Sequence, residues 1–170
     1  MYVASGGNEF PIGSSLLQDR LYLNDGKTGF TKFNGLPNLR GSNSAIAAHD
    51  IDSDGDLDLF VGGRQVPGLY GHTPESYLLI NEGGKFTNQI TELAPELQKA
   101  GMVTDALWMD IDDDKDEDLV IVGEWMPISF YQFDGKKLTV ATKDYQMQKT
   151  NGWWNCIEKA DIDSLSLIHI

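Results

Sequence analysis

The sequence predicts an all-β chain: a partial β-propeller of about two complete four-stranded blades, with partial blades at both ends. Three observations carry the prediction. Segments of three kinds recur along the 170 residues. Each copy joins short β-prone runs through glycine-bearing turns. The repeat length of 50–60 residues leaves room for about four short strands per copy, which is the content of a propeller blade.

The first kind of segment is an apolar stretch that runs into alternating aspartates: SAIAAHDID at 44–52, TDALWMDID at 104–112 and NCIEKADID at 155–163. The second follows directly, as LDLFVGG at 57–63 and EDLVIVGE at 117–124, with YVASGG at 2–7 as the same element of a preceding copy. The third is RLYLNDGKTGFTKF at 20–33, SYLLINEGGKFTNQ at 76–89 and, more loosely, ISFYQFDGKKLTVA at 128–141. An Asp-Gly or Gly-Gly pair between two β-prone runs predicts a hairpin in each. Asp50 to Asp110 is a step of 60, Asp110 to Asp161 a step of 51, and Asn24 to Asn81 a step of 57.

On this register residues 1–33 end one blade, 34–90 and 91–149 form two blades, and 150–163 begin a further one. The chain is thus read as a fragment whose partner is the rest of a parent propeller, and the unpaired blade edges of such a fragment invite association. Residues 164–170 break the aspartate pattern and read as a non-native tail, so no metal is expected at Asp161 and Asp163. TELAPELQKAG at 91–101 is the one segment read as a short helix, with Thr91 as cap and Gly101 as stop, decorating the connection between blades.

Composition narrows the function. With 26 acidic against 13 basic residues the net charge is -13, so nucleic acid is excluded as a partner. No apolar run is long enough to span a membrane, and MYVASGG lacks the basic and apolar regions of a signal peptide. The single Cys156 rules out an intramolecular disulfide and reads as a small buried apolar residue.

The acidity is concentrated in two stretches. In the loop at 50–58 the carboxylates of Asp50, Asp52, Asp54 and Asp58 stand at positions 1, 3, 5 and 9, with Gly55 at position 6 and Asp56 at 7. The loop at 110–118 repeats the pattern with Asp110, Asp112, Asp114, Asp116 and Asp118, but has Lys115 at position 6. So many carboxylates in nine residues repel one another, and a bound dication removes the repulsion. Oxygen donors on a tight loop suit Ca2+; magnesium demands a stricter octahedron, and the absence of sulfur and imidazole argues against zinc. An EF-hand is excluded because position 12 is Val61 or Ile121 where a bidentate Glu is required, and because both flanks read as strands. Lys115 must adopt the left-handed conformation that glycine takes easily, which weakens the second loop.

Asp-x-Asp-x-Asp-Gly-x-x-Asp-Leu between two strands resembles the FG-GAP or VCBS repeat, the family that includes the calcium loops of integrin alpha-subunit propellers. The resemblance implies calcium held by Asp50, Asp52, Asp54, the carbonyl of Asp56 and Asp58, and again by Asp110, Asp112, Asp114, the carbonyl of Asp116 and Asp118. Gly123-Glu124-Trp125-Met126-Pro127 and Asn151-Gly152-Trp153-Trp154-Asn155 are similar to segments of exported bacterial FG-GAP proteins of the ASPIC and UnbV type. From that likeness alone follows an extracytoplasmic location, secreted or at the cell surface.

Nothing in the sequence assembles a catalyst. His49, His72 and His169 are isolated, and an oxygen cage with every position filled leaves no open coordination site for a substrate. The expected function is a calcium-binding adhesion or recognition scaffold, with an extracellular protein or glycan as partner. The alternative is a non-catalytic carbohydrate-binding module, if some of Trp108, Trp125, Trp153 and Trp154 line an exposed face in place of packing between blades.

Overall fold

The computed structural model describes residues 1–160. The chain is all-β, 41% strand against 6% helix, in three antiparallel sheets. The first sheet holds β1 (Tyr2–Val3), β2 (Arg20–Asn24) and β3 (Phe30–Phe33). The second is a meander of β4 (Ser42–His49), β5 (Asp58–Gln65), β6 (Tyr77–Glu82) and β7 (Lys85–Asn88).

The third sheet is reached through a short helix, α1 (Ile90–Leu93). It runs β8 (Met102–Met109), β9 (Asp118–Met126), β10 (Ser129–Phe133) and β11 (Leu138–Val140), and β9 also pairs with β12 (Gly152–Trp153). Among the described residues these sheets do not close into a barrel or a complete propeller. The aspartates at 161 and 163, His169, the last residues of the 150–163 segment and the 164–170 tail lie outside the described residues.

The meander follows from the turn chemistry. Gly83 and Gly84, with φ of 61° and 88°, make the two-residue turn between β6 and β7 that matches the twist of its strands. β5 and β9 are the central strands and are buried almost throughout, so they read as continuous apolar runs and not as alternating ones. Phe60, Leu78, Ile80, Val103, Leu119 and Ile121 pack between the second and third sheets in the largest core cluster.

The segment 91–101 differs from expectation. The helix starts at Ile90 and runs only to Leu93, followed by a 3-10 turn at Leu97–Lys99, and Thr91 lies inside the helix and not at its cap. Gln89 takes the N-cap position without a side-chain hydrogen bond, and the Asn88 carboxamide oxygen before it accepts the Ile90 amide at 3.3 Å. Ile90, Ala94 and Leu97 are fully buried in the core between the sheets, so this connection is core and not decoration. Its apolar spacing decided the outcome, since burial of three side chains outweighs a favourable cap residue.

Contacts between successive sheets repeat. The Ser44 hydroxyl donates to the Val103 carbonyl at 2.9 Å, and one copy later the Thr104 hydroxyl donates to the Trp154 carbonyl at 2.8 Å. Segment 151–155 is therefore placed against the third sheet as the start of β8 is placed against the second.

Candidate metal centres

Each acidic loop joins the first two strands of a four-stranded meander, β4 to β5 and β8 to β9. In the first, Asp50 accepts the Asp54 and Gly55 amides at 3.1 and 3.0 Å, and Asp54 accepts the Asp56 amide at 2.8 Å. In the second, Asp110 accepts the Asp113 and Lys115 amides at 2.7 and 3.0 Å, and Asp114 accepts the Asp116 amide at 2.9 Å. These short-range bonds wind the backbone around the carboxylates.

Two residues of each loop occupy the left-handed region: Ser53 and Gly55 at φ 59° and 94°, and Asp113 and Lys115 at 65° and 79°. Lys115 thus takes the conformation that its place in the repeat demands. Asp and Ser tolerate it at modest cost, whereas a lysine gains no local hydrogen bond from it.

Carboxylate oxygens of Asp50, Asp52 and Asp54 lie within 4.8 Å of one another, as do those of Asp110, Asp112 and Asp118. Each group brings three carboxylates together, the first on the surface of its loop and the second including buried Asp118, and can hold a metal ion. An oxygen that already accepts one amide retains a second lone pair for a cation. Asp58 and Asp114 stand outside these two groups, while the Asp56 carboxylate accepts the Gly83 amide at 2.9 Å and ties its loop to the β6–β7 turn. The structure gives no ligand role to the carbonyls of Asp56 and Asp116.

The ninth residue of each loop does more than its place in the pattern conveys. Asp58 is fully buried and accepts the Ile51 amide and the Asn81 amide, each at 2.8 Å. Asp118, also fully buried, accepts the Ile111 amide at 3.0 Å and the Phe133 amide at 2.8 Å. Each carboxylate fastens the start of its loop to the third strand of its sheet. Burial pushes the Asp118 carboxyl up to about 6, with two amide donors opposing the shift and the charges of Asp112 and Asp114 adding to it. Asp58 is raised for the same reason, with Asp52 and Asp50 as the neighbouring charges. Burial, then Asp114 and Asp110, raises Asp112 as well.

Val61 and Ile121, at the twelfth positions, are buried inside β5 and β9, where no side-chain oxygen could close an EF-hand shell. Sequence reasoning passed over Gln132, whose amide donates to Asp112 at 2.7 Å. It comes from the third strand of the sheet, and only the pairing of β9 with β10 brings it near. His49 lies 3.2 Å from Glu117 and its ring meets that of buried Trp108 at 5.4 Å, so this histidine bridges the two loops' sheets. Cys156 is exposed, contrary to its expected burial, because its segment lies at the surface of the third sheet.

A Cβ at Gly55 would meet nothing within 4 Å, so only backbone conformation separates glycine from lysine there. Lys115→Gly is expected to tighten cation binding at the second loop by roughly 2- to 5-fold, from relief of about 0.4–1 kcal/mol of backbone cost. Gly55→Lys should weaken the first loop to a similar degree. Calcium titrations of the two variants check this, and unchanged affinities would remove the conformational argument.

Compared with known proteins, the chain matches no family model and no curated protein.

Proposed function

We propose that this chain is a calcium-binding segment of a β-propeller of the FG-GAP or VCBS type, acting as a non-catalytic adhesion or recognition scaffold in an exported bacterial protein. One observation carries the reading. Two loops 60 residues apart have the same left-handed positions, the same amide-wrapped first aspartate and the same buried ninth aspartate, and in each three carboxylates converge. A solvated acidic turn needs no such reproduction.

Calcium is favoured over magnesium because these loops offer many exposed carboxylate oxygens on a backbone without octahedral constraint. The ligands are Asp50, Asp52, Asp54, the Asp56 carbonyl and Asp58 in the first loop, and Asp110, Asp112, Asp114, the Asp116 carbonyl and Asp118 in the second. Short acidic loops of this kind suit the weak calcium affinities, about 10⁻⁴–10⁻³ M, of extracellular modules. The propeller reading draws support from the four-stranded meander in each of the second and third sheets and from the hydroxyl-to-carbonyl bond repeated between successive copies.

Terbium luminescence tests the metal assignment, since Trp108 lies two residues before Asp110 and can sensitise an ion in the second loop. Terbium emission should appear on binding and be displaced by calcium at concentrations at least about tenfold below those of magnesium. Equal displacement by the two ions, or no sensitised emission, would contradict the assignment.

A further inference from the structure

The end of β9 remote from the acidic loop carries a feature that calcium binding does not use. Trp125 stands seven residues beyond Asp118, about 23 Å along an extended strand. Its ring and that of Trp153 are 5.5 Å apart and tilted by 46°, forming an open V. Both are exposed, at 64% and 58%, and with Asn151 and Gly152 they line a cleft of about 430 Å³.

The backbone is bent to present this ring. Met126 pairs with Gly152 and Glu124 with Trp153, so Trp125 is the extra residue of a β-bulge, and its φ is 61°. A bulge re-aims one side chain, and the left-handed region favours glycine. A bulky aromatic residue there is strained, and its exposed ring recovers little burial in return. Strain of this kind persists at binding sites, where the side chain is needed for its surface.

Polar groups beside the cleft are fixed in place. Glu124, almost fully buried, is paired with Arg64 and accepts the Tyr70 hydroxyl at 2.8 Å, and the Tyr70 oxygen accepts the Trp125 indole N–H at 3.3 Å. Arg64 Nη1 is buried without a partner among the described residues. Asn8, Arg64 and Glu124 follow a glycine at the same place of the recurring segment in three successive copies, as Gly7-Asn8, Gly63-Arg64 and Gly123-Glu124. Asn8 accepts the Gly68 amide at 2.6 Å, as Glu124 accepts from Tyr70. This position thus links neighbouring copies while its side chain varies.

We propose that the Trp125–Trp153 cleft is a binding site for a neutral saccharide, whose pyranose ring lies with its C–H face on the Trp125 indole while Asn151 and Tyr70 hydrogen-bond its hydroxyls. The chemistry favours this ligand over others. Aromatic faces attract the weakly positive C–H face of a sugar, and the volume suits one or two sugar rings. The net charge of -13 disfavours nucleotides and sulfated or uronate glycans. An extended peptide adding to β9 finds no free edge, since β8 occupies one side and β10 with β12 the other. The inference deepens the recognition role proposed above by naming the ligand class, and it places that ligand away from the ions.

The test titrates the chain with cellotetraose, xylotetraose, mannotetraose and maltotetraose, following tryptophan emission and heat, with a calcium titration of every variant alongside. At least one oligosaccharide should bind and shift the emission, and Trp125→Ala and Trp153→Ala should each weaken that binding by about tenfold or more while calcium affinity is unchanged. Trp125→Gly serves as a second variant, because glycine accepts φ of 61° and folding is spared; it should lose the sugar and keep the calcium. No binding by any of the four sugars, or full affinity in both Trp125→Gly and Trp153→Ala, would overturn the proposal. Capture of a proline-rich peptide in preference to the sugars would also overturn it. Loss of calcium binding in the wild-type chain with sugar binding intact would fault the metal reading alone.

Discussion

Asp58→Ala is expected to destabilise the chain by about 2–6 kcal/mol with calcium absent as well as present, because it strands two backbone amides at roughly 1–3 kcal/mol each. Those amides belong to Ile51 and Asn81, on the loop and on β6, and the carboxylate between them is fully inaccessible to water. Asp118→Ala should behave alike, through Ile111 and Phe133. Asp52→Ala provides the contrast: among the described residues its exposed side chain accepts only one long bond, 3.3 Å from the Asp54 amide, so its loss should matter only when the ion is bound. Urea unfolding of the three variants, with calcium and with chelator, separates the two roles. Equal, calcium-dependent losses in all three would show that Asp58 and Asp118 are ligands and nothing more.

The same buried carboxylates set a pH dependence. The Asp118 carboxyl, raised to about 6 when folded, binds a proton more readily in the native than in the unfolded chain. For the metal-free protein its contribution to stability is therefore largest in acid, and it falls as pH rises from about 4 through 6. Calcium requires the ionised form. Its affinity for the second loop should rise across that window, so that the metal-bound protein gains on the metal-free one as pH increases.

Calcium should also raise the melting temperature substantially. A cation that binds only the folded loop stabilises by about 2.7 kcal/mol at a hundredfold excess over its dissociation constant. For a chain of this length that corresponds to roughly 5–11 °C per site, at about 2–4 °C per kcal/mol. Scanning calorimetry in calcium and in chelator measures it. An unchanged transition would mean that the loops are ordered by their own hydrogen bonds and owe nothing to an ion.

Much of this architecture is legible in the sequence because the sequence says it more than once. The Asp-Gly and Gly-Gly turns occur where hairpins form, and the glycine position of each acidic loop is left-handed even where lysine fills it. Features that depend on contacts distant in sequence were not legible. The buried role of Asp58 and Asp118 needs the third strand alongside, since its amides come from Asn81 and Phe133. Helix α1 was misread because a threonine at 91 satisfies local capping rules, while burial of Ile90, Ala94 and Leu97 sets the true start. Of the four tryptophans, Trp108 packs in the core, whereas Trp125, Trp153 and Trp154 are exposed. No periodicity marks that difference, because a bulge at Trp125 breaks the alternation by which a strand assigns its faces.

Isothermal titration of the metal-free chain with calcium tests the central claim most directly. The account predicts two bound ions per chain, the tighter at the Gly55 loop and the weaker at the Lys115 loop, with Asp50→Ala abolishing the first and Asp110→Ala the second. No binding heat, or binding that survives both substitutions together, would contradict it.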